Sequence, residues 1–295
     1  MTVSSPSALP DQFRSIAGAL APQGGRCVVS GLKGSAPAWL LARLLPLVKR
    51  RFLVITPDGE SAEAFYRELL FYAGNGQELL LFPPWDTAPF EEASPVAELT
   101  GQRLHTLFRL LEGKCRVVVT TLAGAVQRVL PRQLLGESAV YLETGEEVAR
   151  EELLAGLIRL GYQNVPLVED RGTFAVRGGI LDIYPAGLPS PVRIEFFGDE
   201  VESIRPFDPE SQRSLSELTE LILLPSREVI LSEEVIAAFT PRLKPRCDEL
   251  DIPLPGAGSI WSSWPPPPIP WGSNISSRSF TPAWRRCSTM PVPRG

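Results

Sequence analysis

RGTFAVRGGILDIYP (residues 171–185), followed closely by VRIEFFGDE (192–200), is the stretch on which the reading of the fold turns. Short apolar-rich runs stand on either side of the Gly178-Gly179 pair, bounded by Gly and Pro. That pattern predicts strands over Thr173 to Val176, Ile180 to Tyr184 and Val192 to Phe197. A further strand is expected at Val165 to Glu169, and a helix from Glu151 to Leu160 leads into the group. Short strands broken by Gly and Pro point to a small, antiparallel-rich domain. On such strands Arg177, Arg193 and Phe197 project as guanidinium groups beside an aromatic ring. Forked Arg donors and aromatic anchors recur at protein interfaces, whereas exposed arginines elsewhere are simply solvated, and the pattern alone leaves both readings open.

Toward the N-terminus the texture changes. From Gly25 to Pro57 an apolar run (Arg26 to Ser30), a Gly-containing turn, a helical stretch (Ala38 to Val48) and a second apolar run (Phe52 to Thr56) give a β-α-β order. The turn Pro57-Asp58-Gly59 opens an amphipathic helix, Ser61 to Tyr72, and Leu79 to Phe82 is a strand stopped by Pro83-Pro84. A helix is expected over Ala97 to Leu111. The β-branched run Cys115 to Thr121 suits a strand buried on both faces. The first 125 or so residues therefore read as α/β with a mostly parallel sheet. A strand-like run, Leu221 to Leu224, and a helix, Ser232 to Phe239, are expected to return to this first fold.

With 295 residues, 44% of them hydrophobic and 21% charged, the chain is long enough for two or three domains. A net charge of -5 argues against holding nucleic acid by bulk phosphate neutralisation. Cys27, Cys115, Cys247 and Cys287 form no Cys-x-x-Cys pair, so neither a zinc site nor a disulfide framework is expected. The opening residues lack a secretory pattern and no apolar run is long enough for a membrane span, so a cytoplasmic location is expected. The turn Gly31-Leu32-Lys33-Gly34-Ser35-Ala36 sits where a phosphate-binding loop would lie. It lacks the Gly-Lys-Ser/Thr ending and reads as a structural strand-to-helix turn, with residual anion binding at a helix N-terminus as the other option. His105 is the only histidine, which rules out a multi-His site and favours a structural role. Asp86, Glu91 and Glu92 flank Trp85 and Phe90 in a Pro-rich loop, better read as surface than as a carboxylate site.

Several separate motifs resemble one family. Arg177-Gly178…Leu181-Asp182…Tyr184-Pro185 is similar to "RG-x-LD-x-FP", Arg193 to Phe197 to "R-[LI]-[DE]-FF", and Phe207-Asp208…Ser211-Gln212-Arg213 to "FD-x-x-[ST]QR". Upstream, Phe82 to Phe90 looks like "FPDWETLPYD" and Gln127 to Pro131 like "QRVCP". These are elements of the bacterial transcription-repair coupling factors, Mfd, whose UvrB-like domain binds UvrA. The likeness covers roughly residues 25 to 257. It implies a UvrB-like, degenerate P-loop-type α/β domain with an inserted smaller α/β UvrA-binding domain. It also implies that Arg177, Arg193 and Phe197 fall where the family contacts UvrA, recruiting it to a stalled RNA polymerase. UvrB itself keeps a working P-loop; this chain resembles the coupling factors in lacking one.

The expected organisation is residues 1–128 as the first part of the degenerate domain, 129–220 as the UvrA-interaction domain, 221–257 as the return segment and 258–295 as an aberrant tail. That tail, rich in Pro, Ser and Trp, has neither helical nor strand period. It reads either as a disordered linker or as the product of a frameshift near Gly258, since codons can be chosen for Ser273 to Met290 that spell family-like words one base earlier. On that reading the chain is an amino-terminal fragment without catalytic, metal or cofactor site, ATP being the cofactor of the full-length family. RNA polymerase and DNA would be reached only through downstream domains missing here. The function expected is UvrA recruitment. A UvrB-type or helicase-type ATPase subunit and a pseudogene product without a role are the alternatives.

Overall fold

A computed structural model describes residues 9–20, 26–74, 78–87 and 95–230, with isolated positions up to 249. The chain forms two compact units, Met1–Ser94 with Thr106–Arg128, and Pro95–His105 with the residues from Val129 onward.

The elements up to residue 126 run α1 (Leu9–Leu20), α2 (Ala36–Leu44), β1 (Phe52–Thr56), α3 (Gly59–Ala73), β2 (Leu79–Phe82), α4 (Ala97–Leu111), β3 (Val117–Thr121) and α5 (Leu122–Val126). β1, β3 and β2 form a parallel sheet with β3 in the middle. All five residues of β3 are buried, as its unbroken Val-Val-Val-Thr-Thr run requires of a central parallel strand. α3 starts where Asp58 accepts the Ser61 N–H at 2.8 Å, a side-chain N-cap that satisfies one orphan helix donor. One face of the sheet packs Val117, Val119 and Leu79 against Ala38, Leu41, Ala62 and Leu69 of α2 and α3. On the other face Leu107 and Leu110 of α4 lie over Val118 and Phe82. In register with Val118 on that second face, Leu53 of β1 is 61% exposed, and Ile55 beyond it 50%.

The expected strand at Arg26 to Ser30 does not form. The segment is irregular, with Cys27, Val28 and Val29 exposed. Its β-branched composition supplies strand propensity, but a strand exists only within a ladder, and among the described residues nothing pairs with it.

The second unit continues with α6 (Arg132–Glu137), β4 (Val140–Glu143), α7 (Arg150–Arg159), β5 (Gln163–Asn164), β6 (Thr173–Arg177), β7 (Ile180–Tyr184), β8 (Val192–Phe197), β9 (Glu200–Pro206) and β10 (Glu220–Leu223). β5 to β9 form one sheet in sequence order, antiparallel from β6 onward, and β4 pairs with β10 antiparallel. A single core joins Leu153 and Leu157 of α7, Phe174, Leu181, Ile183, Ile194 and Phe196 of the larger sheet, and Leu142, Leu221 and Leu223 of the smaller. Buried Tyr162 donates to the Leu224 carbonyl at 2.7 Å, and burial pushes its phenol pKa upward. The first turns of α4 belong here: fully buried Arg103 is ion-paired to Glu228.

Three expectations shift. Val165 to Glu169 is not a strand: the Val165 N–H still bonds Phe174 at 2.8 Å, but the chain bends at Pro166-Leu167 before Leu167 can make the next bond to β6, and the strand is confined to Gln163–Asn164. The run Leu221 to Leu224, expected to return to the first fold, pairs instead with β4 and buries its leucines in the second core. β9, unforeseen in a Glu-rich stretch, completes the larger sheet. The expected helix Ser232 to Phe239 and the tail from 258 onward lie outside the described residues.

Candidate functional site

The larger sheet of the second unit has one face on the core and one turned away, and the candidate residues sit on the second. Strand register aligns Ala175, Asp182, Arg193 and Arg205 across four strands, with Arg177, Ile180, Glu195 and Ser203 in the next row. Side chains two apart share a face. Phe197, two beyond Glu195, therefore continues this outer face while neighbouring Phe196 enters the core.

Two glycines shape the end of the sheet where Arg177 and Phe197 lie. At Gly179 a Cβ would come within 2.8 Å of the Phe196 carbonyl oxygen, and the Phe196 N–H bonds the Gly179 carbonyl at 2.8 Å. A side chain there would push the β6–β7 turn off β8. Gly198, at φ 65°, occupies the first central position of the two-residue β8–β9 turn, as a type II′ hairpin requires. Beside that turn a β-bulge places the extra residue Glu202 in β9, so that Val201 and Ile204, three apart, both face the core. Phe197 is left 77% exposed at the tip.

The charged groups are locked together. Asp182, only 1% exposed, receives Arg193 through Nε at 2.6 Å and Nη2 at 2.9 Å, and Arg177 through Nη2 at 2.6 Å. A buried carboxylate thus holds two guanidinium groups, one of them in a forked geometry. The hydrogen bonding of Arg193 to Asp182 is the main cause that raises the Arg193 pKa, so the group stays cationic. The Arg193 guanidinium also stands 4.8 Å from the centroid of Phe207, which is fully buried against Val168 and Ala175 on this outer face. Gln212, in a left-handed conformation at φ 57°, places its Oε1 3.4 Å from Arg193 Nη2. Its turn is fixed by Asp208, whose carboxylate accepts both the N–H and hydroxyl of Ser211 and has its pKa lowered by them. Farther along, Arg205 bridges Glu195 and Glu217.

The structure thus brings Arg177, Arg193 and Asp182 together and puts Phe197 at the same end of the sheet. Arg177 keeps half its side chain in solvent, whereas Arg193 is largely covered. Sequence reasoning missed Asp182 as part of the site. Its signal was an Asp in the middle of a strand otherwise apolar, a position such residues avoid unless paired.

Elsewhere, Ser35 in the Gly31 turn exchanges a 2.9 Å hydrogen bond with the Tyr72 hydroxyl and does not cap α2 through its side chain. His105 is half-buried on α4 against Gly187. Asp86 is exposed, Trp85 donates its N–H to Gln127 at 3.0 Å, and Glu91 and Glu92 lie outside the described residues. Among the described residues no group of His, Cys, Asp and Glu is placed to hold a metal, and no helix is long and apolar enough to cross a membrane.

Residues 140–228, which span β4 to β10 and contain every residue of the cluster, match the UvrB interaction domain. The chain is 37% identical over 236 residues to the transcription-repair-coupling factor of Myxococcus xanthus, covering 78% of this chain and 20% of that protein. It is similar to the factors of Haemophilus influenzae, at 33% over 198 residues, and Escherichia coli K12, at 31% over 231 residues. The chain spans about a fifth of the length of these curated relatives.

Proposed function

Because this chain is a relative of the transcription-repair-coupling factors that carries a UvrB interaction domain, we propose that it binds UvrA through the outer face of the larger sheet, with Arg177, Arg193 and Phe197 as the docking group. The observation that carries this reading is the pairing of a bare aromatic, Phe197, with a fixed cationic cluster at one end of that sheet. An exposed aromatic is a poor solvent group but a good anchor, and a pre-ordered guanidinium loses little side-chain entropy on binding.

On this reading the chain works as an interaction module in nucleotide excision repair, in the cytoplasm, and performs no chemistry of its own. The first unit corresponds to a degenerate P-loop-type domain of the UvrB kind. In support, Lys33 precedes Gly34 instead of following it as a phosphate-binding Lys would, and the Ser35 hydroxyl is engaged by Tyr72. RNA polymerase and DNA would be engaged by the parts of the relatives that this chain does not match.

The test is titration of the chain with purified UvrA. Phe197→Ala and Arg177→Ala should each weaken binding about tenfold or more, near 1.4 kcal/mol, with unchanged melting. Unchanged affinity in both variants would overturn the assignment.

A further inference from the structure

Resting on that docking reading, we propose that the residues on this face divide into those that touch the partner and those that aim them. Arg177 and Phe197 make contact, Asp182 is the positioning residue for Arg177, and Arg193 acts through Asp182. The surface that Arg177 meets carries a carboxylate.

The division follows from which atoms are already used. Asp182 is buried and cannot reach a partner, yet it accepts three close hydrogen bonds from two arginines. Arg193 turns Nε and Nη2 inward to Asp182 and lies against the Phe207 ring, so its fork is consumed within the molecule. Arg177 gives Asp182 one bond, through Nη2, and its side chain is 50% exposed. An Arg has five N–H donors in a planar fork, so a guanidinium held at one corner still offers an outer edge matched to a carboxylate. Charge arithmetic agrees: two guanidinium groups against one carboxylate leave a net single positive charge, on the side of Arg177 that faces outward. Arg193 has a defined task in this scheme. By occupying both Asp182 oxygens it fixes the orientation of the carboxylate and leaves Arg177 a single oxygen to bond, which sets the direction of its free edge.

Affinity for UvrA of the full chain, measured for single and double variants, tests this. Asp182→Asn should weaken binding about as much as Arg177→Ala, roughly tenfold, and the double variant should bind no more than about twofold worse than Arg177→Ala alone. Combined with Phe197→Ala, the same Asp182→Asn change should multiply its loss in full, because Phe197 reaches its position through the β8 backbone. A general loss of folded protein would act alike in both backgrounds and would not produce this contrast. Should Asp182→Asn not fold, Arg193→Gln takes its place, again silent in the Arg177→Ala background and multiplicative with Phe197→Ala. Arg177→Glu should bind more weakly than Arg177→Ala, since it sets a carboxylate against a carboxylate.

The proposal falls if Asp182→Asn, melting as the parent does, binds within about twofold of it, or if its effect multiplies with Arg177→Ala. The carboxylate assignment falls if the Glu and Ala variants bind alike. Failure of the docking reading is distinguishable: Arg177→Ala and Phe197→Ala would then both be silent.

Discussion

The two main sheets of this chain both leave apolar side chains in water, in different company. In the first unit, Leu53 and Ile55 project from β1, an edge strand paired on one side by β3 among the described residues. Their face is the one that α4 covers farther in, over Val118, and the cover stops short of them. In the second unit, Phe197 projects beside an arginine held by a buried aspartate, on a strand hydrogen-bonded on both sides. An uncovered stripe of aliphatics on a free edge is a liability for edge-to-edge association. A single aromatic framed by fixed charge has the makeup of an anchor. Exposure alone does not tell the two apart; the ordering of the neighbouring polar groups does.

The largest effect that would sharpen the contrast lies in the anchoring of the second unit. Glu228→Ala removes a carboxylate from fully buried Arg103 and should cost about 3–5 kcal/mol in a denaturant melt. A cost under about 1 kcal/mol would mean that this unit is no more tightly tied than an ordinary surface. Next comes Phe197→Ala, whose effect on unfolding should stay within about 0.5 kcal/mol even as UvrA binding weakens. A stabilising role for Phe197 would erase the distinction between anchor and core. Replacing Leu53 and Ile55 together by Lys should also leave unfolding within about 1 kcal/mol, yet reduce self-association in light scattering, because the charges protect a free strand edge. Equal scattering before and after would count against β1 as the sticky element. The smallest effect is electrostatic. The Asp208 carboxyl, bonded by Ser211, should titrate below its ordinary value of 3.8 in an NMR experiment. Its contribution is present above the unfolded pKa and is lost as pH falls through the lowered folded one.

Much of this was legible in the sequence because local and global preferences agreed. β2, β7, β8 and α4 lie where their apolar runs, helical spacing and flanking turn residues put them, and β3 is the doubly buried parallel strand that its β-branched run announces. What escaped did so for identifiable reasons. The bulge at Glu202 breaks the period-two pattern of β9, so an alternating template does not find it. The bend at Pro166-Leu167 ends a strand whose composition would continue it. The allegiance of Leu221 to Leu224 is a matter of long-range pairing with β4, which no local pattern encodes. At the site, the sequence reading singled out both arginines but not how differently they are bonded. That difference depends on Asp182, whose burial is a property of the assembled sheet.

The bulge has a meaning for how this surface could drift over generations. Removing Glu202 would restore simple alternation, with Val201 inward, Ser203 outward and Ile204 inward, and the core would lose nothing. The added local twist would go with it, and the hairpin carrying Phe197 would point elsewhere. One codon thus separates the packing of the domain from the aim of its exposed aromatic: a lineage that shed it would keep a well-packed core and turn Phe197 in another direction.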